Sequence, residues 1–424
     1  MSPRAVVTGV GVIAPSGLDA AAHWKTVTSG TNRLGRISLF DPSRYETTIA
    51  GEVTDFEISG QLDGRLVVQT DRWTWMGLLS ARQAIADAGL ADTEIDPYEL
   101  SVSLASSSGG NQFGQKELQR LWSLPDRTVG AYQSIAWFYA ATVGQVSIHN
   151  QAKGPCNVLA AESAGGLDSI AHAARLIRRG APMVLAGGLE APLSPYALAC
   201  QQRNGWLSVA AQPERAYLPF DTDAAGYVPG EGGAVLLVED LDHALARNAP
   251  VIYGEVLGWA STHDGEPTKR GGSGSVRHYA ASMRTALSRA GVSPDEVDVV
   301  IPDALGVPGY DAAEAQALHE VFGESGPSAV TSQKSLVGRM YQGGSALDVV
   351  TALLAMREQV LPASTGQANP APGCALNFVA ETRPAEVNVA LIGARGYDGF
   401  NSSLVIGRYD ADHAESGVAL QEAG

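Results

Sequence analysis

Ala160-Ala161-Glu162-Ser163-Ala164-Gly165-Gly166-Leu167-Asp168 joins two unlike stretches of this chain. Before it, residues 156–161 form a short, largely apolar run of strand length. After it, residues 165–179 repeat apolar side chains at helical spacing. The turn sets Ser163 at a helix N-terminus, where aligned peptide dipoles favour negative charge. A strand running directly into a helix is the elementary unit of α/β architecture.

The same unit recurs outward from this turn. Upstream, residues 4–12 read as a strand with a Gly-rich turn, and 71–88 as a helix with Trp75, Leu78, Leu79 and Ile85 on an apolar stripe. Residues 100–105 read as a strand, and 112–122 as a helix after the Ser106-Ser107-Ser108-Gly109-Gly110 turn. Downstream, 183–187 reads as a strand and 242–247 as helical. A second series begins near Pro250: strand 251–259, helix 276–290, strand 297–302, helices 311–322 and 346–357, then a terminal strand pair at 387–392 and 403–408. The alternation predicts right-handed parallel crossovers. The similar element orders divide the chain into halves, 1–248 and 249–410, with 411–424 expected to be a disordered polar tail.

Composition narrows the function. The 424 residues, 45% hydrophobic with 48 Gly and 22 Pro, fit a compact, turn-rich protein. Twenty-nine basic against 45 acidic side chains leave a net charge of −16, which argues against nucleic acid or anionic membrane as partner. Apolar runs such as 181–189 fall far short of the roughly 20 residues a membrane span requires. Met1-Ser2-Pro3-Arg4 leads straight into a strand pattern, without the apolar core and cleavage site of a signal peptide, so the expected location is cytoplasmic.

Cys156, Cys200 and Cys374 are too few and too far apart for a disulfide framework or zinc site, and are expected to be buried or inert. The eight histidines show no metal-ligand spacing. Arg175, Arg178 and Arg179 at the end of one helix, and Lys116 and Arg120 on another, leave two readings open. They are favourable cations at a helix C-terminus, or a docking patch for an acidic carrier protein.

Several segments carry a resemblance. Thr8-Gly9-Val10-Gly11-Val12-Ile13-Ala14-Pro15-Ser16-Gly17 resembles the opening strand and turn of the β-ketoacyl synthase family. Residues 219–232, with Pro219-Phe220-Asp221 at one end and Gly230-Glu231-Gly232 at the other, resemble its Pro-Phe-Asp…Gly-Glu-Gly segment. Gly396-Tyr397-Asp398-Gly399-Phe400-Asn401 resembles its closing Gly-Phe-Gly-Gly-x-Asn loop. Within the family, Glu162 and Ala164-Gly165-Gly166-Leu167-Asp168 look most like the chain-length factors of type II polyketide synthases. The resemblance implies a thiolase-like α/β fold: two duplicated βαβαβαββ halves in a five-layered αβαβα arrangement around a buried helix pair.

It also implies a catalytic centre without its chemistry. Ser163 stands where the family's condensing enzymes carry cysteine, and where chain-length factors usually carry glutamine. Leu305, in Asp303-Ala304-Leu305-Gly306-Val307-Pro308, and Arg339, in Lys334-Ser335-Leu336-Val337-Gly338-Arg339, stand where histidines are expected. A serine hydroxyl needs a neighbouring base to become a nucleophile, leucine transfers no proton, and arginine stays protonated. No catalytic residue is therefore assigned. Ser163 is read as filling the slot and capping the helix through its hydroxyl. Glu162 beside it is expected to point away. Lys334 is expected to hydrogen-bond within its loop and Arg339 to pair with a carboxylate, Glu314 being the candidate. Tyr397 matches the phenylalanine that gates active synthases, and Asp398 replaces the following glycine.

What remains is a partner role. The resemblance implies a heterodimer with a catalytic ketosynthase, served by an acyl carrier protein whose phosphopantetheine holds the intermediates, and no cofactor on this chain. The helix after the Gly-Gly turn then lines a polyketide tunnel, with Asn111, Phe113, Gly114 and Leu118 as its residues; Asn111, Gly114 and Leu118 share one helical face. Gly114 is expected to leave that tunnel roomy, or else to permit close helix packing. Tyr132, Trp137, Phe138 and Tyr139 are read as interface or core aromatics. Two rival readings stay open: a serine-dependent acyltransferase or thioesterase using Ser163, and a purely structural partner of the ketosynthase.

Overall fold

The computed structural model describes residues 3–265 and 273–410; the expected polar tail, 411–424, lies outside the described residues. Nine strands form the main sheet: β1 Ala5–Ile13, β2 Leu100–Ala105, β3 Cys156–Leu159, β4 Met183–Glu190, β5 Gly232–Asp240, β6 Gly254–His263, β7 Val299–Ile301, β8 Val389–Gly396 and β9 Phe400–Gly407. The principal helices are α1 Arg72–Asp87, α2 Asn111–Ser123, α3 Ala141–His149, α4 Gly165–Ile177, α5 Pro195–Gln202, α6 Val276–Ala290, α7 Pro308–Phe322 and α8 Gln342–Glu358. Among the described residues, no helix is long and apolar enough to cross a membrane.

The strand order is β3-β2-β4-β5-β1-β6-β9-β8-β7. Read outward from the β1–β6 junction, each half lists its first strand, its last, its penultimate and its second, so the duplication is written into the topology. The first half adds β3, parallel to β2; in the second half Val330 bridges to Val300 in parallel at the corresponding place. Among the described residues, β1 and β6 pair across the junction through Val6–Glu255 and Val7–Gly254. The proposed boundary at 248/249 falls between α-helical residues ending at Ala246 and the start of β6.

The sheet is mixed: the expected parallel crossovers hold for β2, β3 and β4 and for β7 and β8, and not for the strands between them. β2 runs parallel to β3 and β4, and β7 parallel to β8, but β4, β5, β1, β6, β9 and β8 alternate in direction. The antiparallel neighbours β8 and β9 are joined by a tight turn at Tyr397–Gly399, which needs no crossover helix.

α4 and α8 lie between the two halves, α1 and α3 cover the outer face of the first, and α6 and α7 cover the second. This gives the five layers. Residues 342–356 of α8 are buried on every side, its polar members Ser345, Asp348 and Thr351 each hydrogen-bonded to a neighbouring segment. Its first turn meets α4 where Gly166 has no side chain; a Cβ there would fall 2.3 Å from the Gln342 carbonyl oxygen. The glycines of the opening motif thus set the closest approach of the two central helices.

Candidate functional site

The loops after β2, β3 and β7 and the segment entering α8 converge at one end of the sheet. Four non-glycine residues there are held in the left-handed region: Glu162 (φ 50°), Ala304 (φ 50°), Tyr341 (φ 51°) and Asp398 (φ 66°). Each such conformation costs about 1–3 kcal/mol and persists only when its surroundings enforce it. Three of them adjoin a position singled out from the sequence, Ser163, Leu305 or Tyr397, and Tyr341 lies two residues beyond Arg339.

They surround a cavity of about 360 Å³ whose wall includes Asn111, Glu162, Leu305, Arg339, Trp206, Tyr227, Tyr310, Tyr341 and Tyr397. Trp206 packs against Tyr310 and Tyr397 at centroid distances of 4.8 and 5.3 Å, and its indole Nε1 has no hydrogen-bond partner. Sequence reasoning missed Trp206, Tyr227, Tyr310 and Tyr341, which lie on four separate segments and carry no shared motif.

Ser163 is buried, 3% exposed, and lies behind the wall. Its Oγ donates to Glu162 Oε1 at 3.2 Å, and its carbonyl accepts from Ser345 Oγ on α8 at 2.6 Å. Two expectations need correction here. The hydroxyl does not cap the helix, because α4 has no side-chain cap. Nor does Glu162 point away; its positive φ turns the carboxylate back over the elbow.

That carboxylate reaches the cavity in place of a nucleophile. Its Oε2 accepts the Tyr397 backbone N–H at 2.8 Å, and the Arg339 guanidinium stands 3.7 Å away. Burial raises the Glu162 pKa, and Arg339 with the Ser163 and Tyr397 N–H groups opposes the rise. A backbone N–H aimed at an anion, here Tyr397 N–H on Glu162 Oε2, is the kind of donor that stabilises an oxyanion in acyl transfer. In this chain the anion is its own side chain.

Arg339 pairs with Asp303 rather than Glu314: Nη1 lies 3.1 Å from Asp303 Oδ2, and Nη2 donates to the Arg395 carbonyl at 2.7 Å. Burial works against the charge, but Asp303 and Glu162 more than offset it, so the guanidinium pKa stands well above its ordinary value. Glu314 is already engaged, accepting the N–H groups of Asp303 and Ala304 and the Tyr279 hydroxyl. Leu305 is buried and presents only carbon to the cavity. Lys334 also departs from expectation. Its Nζ leaves the loop to meet Asp348 on α8 at 2.5 Å and the Pro302 carbonyl at 2.9 Å.

The face of α2 divides along its length. Asn111 lines the cavity, and Phe113 is half-buried, its backbone N–H bound to Asp71 at 2.7 Å. Gly114 is buried against Trp137, and Leu118 is 41% exposed. Tyr132, Trp137, Phe138 and Tyr139 are all exposed, joined by Trp122 and Ile135, and β3 is the edge of the sheet. Of the three cysteines expected to be buried or inert, Cys374 is buried, while Cys156 and Cys200 are exposed. Arg175 and Arg178 stack over the Trp259 ring, with guanidinium carbons 5.6 and 4.4 Å from its centroid.

A strand-to-helix elbow beside a buried cavity, in a duplicated five-layer fold, defines a thiolase-like α/β architecture, with Glu162, Leu305 and Arg339 on the cavity wall. Residues 3–244 match the Beta-ketoacyl synthase, N-terminal domain, and residues 253–367 the Beta-ketoacyl synthase, C-terminal domain. The chain belongs to the β-ketoacyl synthase family. Within it, the chain is 48% identical to the tetracenomycin polyketide synthase ketoacyl synthase beta subunit of Streptomyces glaucescens, over 95% of this chain and 98% of that one. It is 44% identical to the actinorhodin polyketide putative beta-ketoacyl synthase 2 of Streptomyces coelicolor, with the same coverage. It groups with these polyketide ketoacyl synthase beta-type relatives. Among solved structures, the ishigamide ketosynthase/chain length factor superposes with a TM-score of 0.89 at 25% identity, covering 97% of this chain and 100% of that one.

Proposed function

We propose that this chain is the non-catalytic, chain-length-determining subunit of a type II minimal polyketide synthase, paired with a catalytic ketosynthase and shaping the tunnel for the growing polyketide. The observation that carries this reading is the state of the emptied site. Leu305 and the Asp303-bound Arg339 stand where the family's histidines would transfer protons, and Glu162 occupies the Tyr397 N–H that a thioester oxygen would use. Relatives at 48% and 44% identity are named as polyketide ketoacyl synthase beta-type chains, which supports the pairing. The exposed aromatics of residues 132–139 and the open edge of β3 supply an apolar surface suited to a subunit partner.

The acyl carrier protein and its phosphopantetheine belong to the same proposal, and the chain supplies no cofactor. Co-purification with the ketosynthase, followed by product analysis with malonyl-loaded carrier, tests it. Product is expected only when both chains are present and is expected to survive Ser163→Ala. Product from the ketosynthase alone, with unchanged length, would overturn the reading.

One contact favours a second reading, a serine-dependent acyltransferase or thioesterase: Ser163 Oγ does donate to a carboxylate whose pKa is raised. Against it, the hydroxyl is sealed behind the cavity wall, and Glu162 is held by other donors. Labelling by a serine-reactive acyl probe, abolished in Ser163→Ala, would support it. A purely structural partner would give the same product range after every substitution on the α2 face.

A further inference from the structure

The cavity beside Glu162 keeps polar groups that the protein itself does not use. Asn111, at the start of α2, lines the wall and is only 8% exposed, yet its side-chain amide makes no hydrogen bond among the described residues. Asn204, half-buried on the same wall, has an unpaired amide too. A buried polar group without a partner costs about 1–3 kcal/mol, a cost that a ligand oxygen in the cavity would remove.

The remaining wall says what kind of ligand that is. Tyr196, Trp206, Tyr227, Tyr310, Tyr341 and Tyr397 all line the space. Aromatic side chains hold flat ring systems by offset or edge-on stacking. Tyr341 Oη donates to Gln201 Oε1 at 2.5 Å, so the proton shared between Tyr341 and Tyr227, whose hydroxyls lie 3.0 Å apart, comes from Tyr227. The pair therefore offers a ligand lone pairs, while Asn111 offers N–H donors.

No cation on the wall waits for an acid. Arg339 is bound by Asp303 and faces Glu162. Arg395 lies over the Tyr279 and Tyr310 rings and donates to the Tyr310 and Ser273 carbonyls at 3.4 and 3.3 Å. An anionic ligand would meet Glu162 with no counter-charge of its own, which burial makes costly. The volume, about 360 Å³, is at the lower end of the range for small-molecule sites.

We propose that this cavity is a binding site for a neutral, fused-ring hydroxyaryl ketone. Asn111 and the Tyr227–Tyr341 pair read its oxygens, and Trp206, Tyr310 and Tyr397 hold its rings. The inference goes beyond the chain-length reading and does not depend on it, because the ligand is held by this chain's own side chains around Glu162.

The test is isothermal titration calorimetry of the full chain in complex with the ketosynthase. The neutral probe is 2-acetyl-1-naphthol, and 1-hydroxy-2-naphthoate is its anion of nearly the same shape. Every substitution is made in this chain, so binding to the ketosynthase contributes equally throughout. The neutral probe is expected to bind saturably, about tenfold or more tighter than the anion, and to protect Cys200, exposed at the cavity mouth, from iodoacetamide over the same concentrations. Asn111→Leu is expected to weaken binding about tenfold, and Cys200→Trp, which fills the mouth, to abolish it.

No saturable binding and no protection of Cys200 by the neutral probe would overturn the inference. So would equal affinity for the anion, or binding that survives both substitutions. Should Asn111→Leu fail to fold, Cys200→Trp and Tyr397→Leu, both at exposed positions, decide: unchanged affinity in the two overturns it.

Discussion

Arg339 Nη1 lies 3.1 Å from Asp303 Oδ2, and both side chains are sealed from solvent beside the Glu162–Ser163 turn. Removing one partner of such a pair strands the other charge in the interior, at a typical cost of about 3–5 kcal/mol. Arg339→Ala is therefore expected to lower the urea midpoint strongly. The double variant Arg339→Leu/Asp303→Asn, which leaves only Glu162 without the guanidinium, is expected to lose less than Arg339→Ala alone, which leaves both Asp303 and Glu162 without it. A double variant less stable than the single would show that the pair adds net stability.

Restoring the expected catalytic residues should not restore condensation. In Ser163→Cys/Leu305→His/Arg339→His, the Glu162 carboxylate would still hold the Tyr397 N–H, at 2.8 Å in the parent, and would raise the pKa of the adjacent thiol. Asp303 would lose its guanidinium partner as well. The measurement is condensation of malonyl-loaded carrier by this chain without its ketosynthase, and the expected result is no product. Turnover by the triple variant would refute the assignment of Glu162 as the blocking group.

These predictions depend on contacts that differ in how far the sequence announced them. α6 and β2 fall on the residues predicted for them, because helical spacing and a capping Ser275 in one case, and a bounded apolar run in the other, are local signals. α8 begins at Gln342, four residues before the prediction, because its first turn, Gln342-Gly343-Gly344-Ser345, has no apolar period and is helical only through packing on α4. The partner of Arg339 was not legible: Asp303 and Glu314 are both acidic and both nearby, and only the fold shows Glu314 spent on three other donors. The Glu162–Ser163 contact was hidden for a different reason. It depends on a positive φ at a non-glycine residue, which no residue type signals.

Lys334 and Asp348 form a second buried pair at 2.5 Å, tying the loop to the middle of α8. Burial pushes the Asp348 pKa up to about 6, with Lys334 opposing the rise. Lys334→Met should remove that opposition and favour the protonated acid. The variant is expected to lose about 3–5 kcal/mol at pH 8 and less at pH 5, where Asp348 can accept a proton. Equal losses at both values, read from urea midpoints, would sink the idea.

His23 should make this protein sensitive to acid. The ring is fully buried, with Nδ1 2.7 Å from Ser16 Oγ and Nε2 3.0 Å from Thr351 Oγ1 on α8, and burial lowers its pKa from 6.5 to about 3. The unfolded chain binds a proton below about pH 6.5, whereas the folded chain binds one only near pH 3. The sign follows: the contribution of His23 to stability is complete above pH 6.5 and is lost as pH falls, by about 1.4 kcal/mol per unit in that window. His23→Gln keeps a hydrogen-bonding side chain but has nothing to titrate. The variant is expected to be the less stable protein at pH 8, with the gap narrowing steadily toward pH 4. Parallel curves of urea midpoint against pH for the two proteins would show that His23 is not the group responsible.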